Sequence, residues 1–582
     1  MYLGIFGPGP NPSACFVKDG KVLFWAEEER FTRIKTSPNS FPYKSIYEGF
    51  KRLNIGPSDI KGIGYAWDCV NYKVDSANNL LSTARAYPSE MDHLNLLANE
   101  RINIVYDSAI IEFNIKKIFG AESLTEIPPI KFFDHHLCHA ASCIPLLPDH
   151  DSVIITNDGS GGIISTAIHI FKEGKILPSI GSVCLPHTLG GIYASMTEYL
   201  GYRAYEDEGR VMGLACYGEY DKGLMADFSN IMRSTSPESG FYFTDPTFRY
   251  NHKRTYGSRY SDKLVELLGL PRRSNESPMG RRFKNIAFSL QFSLEHILLN
   301  ICDWSRRESG MANALFAGGV HMNCKANGVI IKSKIFDKCL FQPAASDNGV
   351  SLGAAYLIEN DIEEGSNLSR ISPMQHLYHG TEYSDTEIES YLKKSKVNYR
   401  RTDSVARDAA MSIHTGKILG WFQGRMEVGA RALGGRSILA SPLNPEARDL
   451  VNVNVKNREP WRPFCPSIKA ESINSYIRLE GSVTNPNFMI TAHGVQDEMI
   501  KEIPSCVHID KTARPQSVSK EVNSIYWELL DELEKLSGHP IVLNTSFNVK
   551  GEPIVQSPEE AIRCFFGTGI DELYIGNFVV SK

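Results

Sequence analysis

Two histidines four residues apart, His135 and His139, stand in the run DHHLCHAASC that begins at Asp134. On a helix such a pair shares one face, about one turn apart, a spacing that suits two imidazoles on one metal ion. Cys138, between them, would project away from that face into packing. A short apolar passage leads to SVIITNDGSGG, residues 152–162. Its β-branched start reads as a buried strand, and its glycine-rich end reads as a turn over Asn157-Asp158-Gly159-Ser160-Gly161-Gly162. Such a turn lets backbone N–H groups approach an anion, with the Asp158 carboxylate at its edge. Further on, FQPAASDNGVSLGAA (341–355) sets Asp347 just ahead of a small-residue helix. There a carboxylate would either complete a metal site or cap the helix. A histidine–carboxylate set suits iron(II), zinc or manganese, and the residues alone do not choose among them.

Two other stretches carry chemistry. ALFAGGVHMNCKANG (314–328) is a strand running into Gly318-Gly319 and then a helix, a form that suits a nucleotide phosphate. In the last third, Arg425, Arg431, Arg436, Arg458, Arg462 and Arg514 sit in loops flanked by glycine, proline or aromatic residues. Guanidinium presents a fixed fork of donors that matches phosphate or carboxylate oxygens. Several such groups converging on one pocket are costly unless an anion neutralises them. Asn544-Thr545-Ser546-Phe547-Asn548 follows a strand and adds amide and hydroxyl groups at the usual ligand edge of an α/β sheet.

The elements that must position these residues exceed one core. At 582 residues, two or three domains are expected. A net charge of −5 gives no general reason to expect nucleic acid or an anionic membrane as partner. MYLGIFGPGPNP lacks the basic start of a signal peptide, and no run reaches the length of a membrane span. The twelve cysteines are scattered without a CxxC pair, as expected of buried thiols in a reducing cytoplasm.

Residues 2–6, 13–18 and 21–26 read as a three-strand meander, with turns at Gly7–Pro12 and Asp19-Gly20. The plan recurs at 152–178, where Glu173-Gly174 makes the second turn. Two such halves, each followed by helices, are the plan of actin-like ATP-binding folds. Residues 42–118 read as mostly helical, including an acidic-polar segment around 89–115. FYFTDPTFRYNHKRTYG (241–257) reads as a surface insertion, either a packed loop or an acceptor-binding flap. Ile286, Leu290, Leu294, Leu298 and Ile301 hold helical spacing and belong to the core. A polar linker at 359–370 separates a front domain, 1–360, from a rear one, 376–582. The rear domain reads as a smaller α/β sheet with a capping box at Ser384–Glu387, a strand at 418–422 and a helix at 523–537. A further strand is expected at 540–544, a helix starting at Ser557-Pro558, and one closing strand through ELYIGNFVV.

The chain resembles the O-carbamoyltransferase family of antibiotic and nodulation-factor biosynthesis. The matching text is AEEERFTRIK (26–35), HHLCHA, NDGSGG, VMGLACYG, AGGVHMNCKANG, GRMEVGARALGGRSILASP, NREPWRPFCPSI and LNTSFNVKGEPIVQSPEEAIRCF. The front domain is similar to the duplicated actin-like (ASKHA) enzyme that transfers threonylcarbamoyl to tRNA. The rear one is similar to the threonylcarbamoyl-adenylate synthase. The resemblance implies that carbamoyl phosphate is hydrolysed in the rear domain and that carbamate then reacts with ATP, giving carbamoyl adenylate and pyrophosphate. The adenylate serves a metal-containing front domain that carbamoylates a small-molecule acceptor on a hydroxyl or an amine.

Carried over by position, His135, His139 and Asp347 would be metal ligands, with Asp158 a ligand or close neighbour. The resemblance takes iron(II) ahead of zinc or manganese, with Mg accompanying ATP. Gly159, Arg210, Gly318, Gly319 and Asn323 border the adenylate, with Arg210 where the family usually has lysine. Arg431, Arg462, Arg514, Asn544 and Ser546 hold carbamoyl phosphate or nucleotide phosphates, and Arg431 and Arg514 act in catalysis beside Asp158. One departure stands out. The family's His-Asp pair, whose histidine activates the acceptor, is replaced by Pro10 and Asn11, and proline takes no proton. His136 or the flap's His252 is the candidate substitute; otherwise the acceptor is an amine, or transfer is impaired. The expected protein is cytoplasmic, binds neither nucleic acid nor membrane, and is a candidate homodimer. The competing readings are a tRNA threonylcarbamoyl enzyme and an actin-like sugar kinase or ATP-binding regulator.

Overall fold

Tight turns between apolar runs at the N-terminus produce a sheet whose strands lie in the order Lys21–Glu27, Ser13–Lys18, Tyr2–Phe6, Gly62–Tyr65, Ile130–Phe132. Tyr2–Phe6 pairs antiparallel with Ser13–Lys18 and parallel with Gly62–Tyr65. This computed structural model describes residues 1–90, 106–249, 259–274, 278–363, 367–459, 462 and 464–582. His252 and parts of the segments expected at 89–115, 241–257 and 359–370, and of the text NREPWRPFCPSI, lie outside the described residues. The described part of 42–118 is mostly helical, as expected, with helices Tyr43–Leu53, Tyr72–Ala86 and Ser108–Phe119, and it also holds Gly62–Tyr65, a four-residue strand inside the sheet.

The same plan is built a second time. Ser152–Gly161 pairs antiparallel with Ile164–Lys172 and parallel with Asn313–Ala317, which in turn pairs with Lys338–Phe341. In each copy a central strand carries a hairpin on one side and two parallel strands on the other. The tight turns match too, since Asp19-Gly20 and Glu173-Gly174 both have positive φ at their two residues, as a two-residue hairpin turn requires. This is the duplicated α/β plan expected of an actin-like domain.

Chain contacts divide the described residues into two units. The first comprises Met1–Leu23, Pro38–Pro373 and Gly481–Thr484. The second comprises Phe24–Ser37, Met374–Glu480 and Asn485–Lys582.

In the first unit, helix Val350–Ile362 lies against the N-terminal sheet and helix His135–Cys143 at backbone distance. A methyl on Gly4 would sit 1.8 Å from the Ser351 carbonyl, and one on Gly353 would sit 1.8 Å from the Cys138 carbonyl. Only hydrogen fits at those crossings. Ser13 Oγ ties the sheet to the same helix region by donating to the Asn348 carbonyl at 3.0 Å.

In the second unit an eight-stranded sheet runs Tyr399–Arg401, Phe578–Ser581, Glu572–Ile575, Leu419–Phe422, Arg436–Ala440, Ile541–Ser546, Cys465–Lys469, Gln516–Val518. Side chains alternate between its faces as the strand period demands. Phe422, Ile438, Leu573 and Ile575 pack with Ala561, Ile562 and Phe565 of helix Pro558–Phe566. Trp421, Leu439 and Tyr574 pack with Ala409 and Ile413 on one helix and with Leu529, Leu530 and Leu533 on another. Burial on both faces explains why these strands read as near-continuous apolar runs. The Ser384–Glu387 capping box and the Ser557 cap form as expected. The closing strand is instead a hairpin, Glu572–Ile575 with Phe578–Ser581, turned at Gly576 with φ of +51°.

Candidate functional site

Helix His135–Cys143 begins where Asp134 accepts a hydrogen bond from the Leu137 backbone N–H at 2.8 Å. Helical spacing then brings His135 and His139 together, ring centroids 4.7 Å apart and perpendicular. Opposite them stand two carboxylates from distant parts of the chain. Asp158 Oδ2 lies 3.6 Å from His135 Nε2 and 3.8 Å from His139 Nε2. Asp347 Oδ1 lies 3.7 and 3.9 Å from the same atoms. All four residues are buried, and their candidate ligand atoms fall within 4.8 Å of one another.

The expected glycine turn at 157–162 takes a different form. The strand continues to Gly161 with an irregularity between Asn157 and Gly161, and the chain reverses only at Gly162, where φ is +70°. An irregularity of this kind re-aims a side chain, and here it delivers Asp158. Gly319 N–H donates to Asp158 Oδ1 at 2.9 Å, while Gly318 adopts φ of +93° and approaches the Asn157 backbone. Asp347 opens a short turn ahead of helix Val350–Ile362 and makes no side-chain cap there, which leaves its carboxylate for the cluster.

The donor set fits a divalent cation. His135 Nε2 and His139 Nε2 are buried with no hydrogen-bond partner, a costly state that a metal bond would relieve. Burial pulls the His135 imidazolium down, but the Asp158 and Asp347 carboxylates outweigh it and raise His135 to about 10. Burial opposes ionisation of Asp158, yet the two imidazoles hold it well below the usual carboxylate range. Asp347 is raised, first by burial and then by the charge of Asp158. Two carboxylates that repel while facing two imidazoles are an electrostatic arrangement a cation completes. His135 Nδ1 lies 3.1 Å from the Ala66 carbonyl, which orients the ring.

His136 does different work from the role expected of it. Its Nδ1 lies 2.8 Å from Thr156 Oγ1 and its Nε2 lies 3.0 Å from the Ile164 carbonyl. Burial lowers it to about 4. A ring held at both nitrogens ties helix to sheet and has no nitrogen left for an acceptor's proton.

Around the second glycine turn, Asn323 caps helix Cys324–Ser333, accepting from the Ala326 N–H at 3.1 Å, and donates to Gln291 at 2.8 Å. Thr188 Oγ1 donates to the Gly159 carbonyl at 2.6 Å. Arg210 pairs with Asp207 at 2.9 Å and lies over the Tyr202 ring.

In the second unit the arginines divide. Arg436 is fully buried and donates to the carbonyls of Thr381, Gln423, Gly424 and Gly435. Arg425 donates to the His379 and Gly380 carbonyls. Both brace the backbone, which corrects the expectation that all six face an anion. Arg514 donates to Cys465 Sγ at 3.1 and 3.0 Å. Arg458 lies over the Phe464 ring and donates to Asn452. Burial, then Arg462, pushes Arg458 well below the ordinary arginine range, with Arg514 adding to the effect and Cys465 and Glu459 opposing it. Arg431 is half-buried beside Ala432, whose carbonyl accepts from Asn544 at 3.1 Å.

The residue that sequence reasoning missed is Lys456. It is buried, and its ammonium donates to Ser546 Oγ at 3.3 Å, the Asn548 carbonyl at 2.9 Å and Asn548 Oδ1 at 2.7 Å, besides the Ser546 carbonyl. Burial, then Arg458, with Arg462 adding, pushes it well below the ordinary lysine range against the opposing effect of Cys564. Lys456 thus joins Ser546 and Asn548 to the arginine cluster. Its only signal in the sequence is its place two residues before Arg458.

Comparison with known proteins matches two successive parts of the chain. Residues 11–356 match the family model "Carbamoyltransferase N-terminus" and residues 410–582 match "Carbamoyltransferase C-terminus". The chain is 32% identical to the uncharacterized protein sll1178 of Synechocystis, over 100% of this chain and 96% of that one. It is 33% identical to the nodulation protein NolNO of Sinorhizobium fredii, over 98% of this chain and 78% of that one. Among solved structures, component A of the (R)-2-hydroxyglutaryl-CoA dehydratase of Acidaminococcus fermentans aligns over 62% of this chain and 98% of its own. Its TM-score is 0.34 at 12% identity, a likeness too distant to add to the topology above. With both halves of the family's description matched in order, the chain belongs to the carbamoyltransferases.

Proposed function

We propose that this carbamoyltransferase draws its carbamoyl group from carbamoyl phosphate, activates it with ATP as carbamoyl adenylate, and passes it to a hydroxyl or amine of a small molecule. In the first reaction carbamoyl phosphate is hydrolysed to carbamate and phosphate. A carbamate oxygen then attacks the α-phosphorus of ATP, and pyrophosphate leaves. Lys456, Arg458, Arg462 and Arg514 would hold the phosphate oxygens, with Arg431 at the edge and Ser546 and Asn544 fixing the pocket's shape. An anion there would restore the charge that Lys456 and Arg458 keep only against burial and one another.

In the second reaction the acceptor atom bonds to the carbamoyl carbon, and AMP leaves with the electron pair of the broken C–O bond. His135, His139, Asp158 and Asp347 would hold a divalent cation, whose bound charge would polarise the adenylate and offset the phosphate's charge. Gly318 and Gly319 would let the backbone approach the nucleotide, and Asp158, anchored by the Gly319 N–H, would link that turn to the cation site. The family's usual proton acceptor is absent at Pro10, so an amine, nucleophilic without help when neutral, is the simplest acceptor chemistry.

The observation that carries this reading is the buried two-histidine, two-aspartate cluster inside the region matching the N-terminal family model. The test incubates the metal-loaded protein with ATP, carbamoyl phosphate and candidate acceptors. Pyrophosphate release must depend on carbamoyl phosphate, and mass spectrometry must show an acceptor heavier by one carbamoyl group. Phosphorylation of a sugar without carbamoyl phosphate would favour a kinase instead.

A further inference from the structure

The first glycine turn, where the family's acceptor-activating pair is missing, has a different polar group beside it. A methyl placed on Gly9 would stand 3.1 Å from the hydroxyl of Tyr106. Two positions on, Asn11 Nδ2 donates to Ser346 Oγ at 3.3 Å, and Ser346 immediately precedes Asp347. The turn therefore touches Tyr106 on one side and the metal cluster's neighbour on the other.

The ring of Tyr106 is held firmly. It stacks on Trp67 with centroids 3.9 Å apart and 8° between planes, and meets Tyr72 edge-on at 5.4 Å. Trp67 in turn lies 4.9 Å from the ring of His135. Among the described residues the Tyr106 hydroxyl makes no hydrogen bond, and the residue is only half-buried. A rigid ring with an uncommitted hydroxyl thus adjoins the place where Pro10 has no proton-bearing group.

We infer that Tyr106 presents its hydroxyl to the carbamoyl acceptor at the histidine–aspartate cluster, accepting a hydrogen bond from the attacking O–H or N–H. The inference rests on the two-reaction reading above. Burial, then the charge of Asp347, with Asp158 among the smaller causes, pushes the Tyr106 phenol well above its ordinary value. The hydroxyl accordingly keeps its proton and orients the nucleophile without deprotonating it. The acceptor atom forms its bond to the carbamoyl carbon, AMP departs, and the acceptor's proton goes to solvent water.

Tyr106→Phe tests this, because the ring and its stack on Trp67 remain. Hydroxylamine serves as the probe nucleophile, with hydroxyurea as product. The variant is expected to lose about tenfold or more in hydroxyurea formation, while carbamoyl phosphate-dependent pyrophosphate release and bound metal stay at wild-type levels. Adding Pro10→His to that variant should recover part of the loss. Wild-type hydroxyurea formation by Tyr106→Phe would overturn the inference. So would metal loss in step with transfer, which would make the residue a structural support. A wild-type protein that releases no pyrophosphate would sink the two-reaction reading, a result distinct from either.

Discussion

The two polar clusters of this chain are unbalanced in opposite directions. In the first unit, two imidazoles and two carboxylates converge, and both Nε2 atoms go without a hydrogen-bond partner. In the second, a buried ammonium is satisfied by neutral oxygens and lies within electrostatic reach of guanidinium groups. Under the proposed function the first would take a divalent cation and the second a phosphate-type anion. Clustered titratable groups of one dominant sign make each place a candidate for a ligand of the opposite sign.

The sharpest way to break that comparison is to remove one carboxylate of the histidine–aspartate cluster. If the proposed function holds, Asp347→Asn should cut carbamoyl transfer about 10- to 100-fold and weaken retention of a divalent cation. Pyrophosphate release should survive, since the anion cluster is untouched. Metal analysis beside the two assays decides, and equal loss of both reactions would show that the clusters do not act separately.

Next in size is Gly353→Ala, whose methyl would meet the Cys138 carbonyl at 1.8 Å. Overpacking of this kind costs about 1–3 kcal/mol and often more. Thermal melts should show the loss together with weakened metal retention, because the helix that follows Asp347 is forced from the one bearing the histidines.

Lys456→Met probes the other cluster, with an expected loss of about 1.5–3 kcal/mol in phosphate binding. Inorganic phosphate should raise the melting temperature of wild type and not of the variant. The pH dependence has a definite sign. Lys456 is depressed in the folded protein, so between that value and the unfolded lysine's ~10.4 the unfolded chain binds the extra proton. Stability from this group is therefore lost as pH falls and gained as it rises toward the unfolded value. Melts across that range should show a slope in wild type that the variant lacks.

The smallest effect is a control. Ser557→Ala removes a helix cap that accepts from Glu560 N–H at 3.3 Å and should cost about 1 kcal/mol. It should leave both the metal and the phosphate responses unchanged, as calorimetry with each ligand would show.

Much of this molecule is legible in its residues, for identifiable reasons. Strand alternation and turn residues announce the meander and its repeat, because a two-residue hairpin admits few residue types. His135 and His139 announce themselves through helical period alone. Asp347 reads either as a metal ligand or as a helix cap, and the residues alone do not choose; its convergence on Asp158 depends on glycines that let a helix lie against backbone, and composition does not reveal which glycines do so. His136 misleads because three histidines in five residues look alike in sequence, while burial gives each a different neighbour. Arg436 and Arg425 mislead for the same reason, since a guanidinium that braces carbonyls and one that would bind an anion share every local signal. Lys456 escapes notice because what marks it is burial.

The assignment of Phe24–Ser37 to the second unit has a practical consequence. Arg30, 1% exposed, bonds Glu27 and donates to the Gly429 carbonyl at 2.6 Å, while Arg33 donates to the Pro553 and Ile554 carbonyls and pairs with Glu560. A gene fragment starting near residue 374 would be missing fourteen residues that its own product needs for closure, and no single scission yields two whole halves. Anyone dissecting this enzyme into separately expressed parts should expect the rear piece to recover only when that short peptide is supplied or stitched back on.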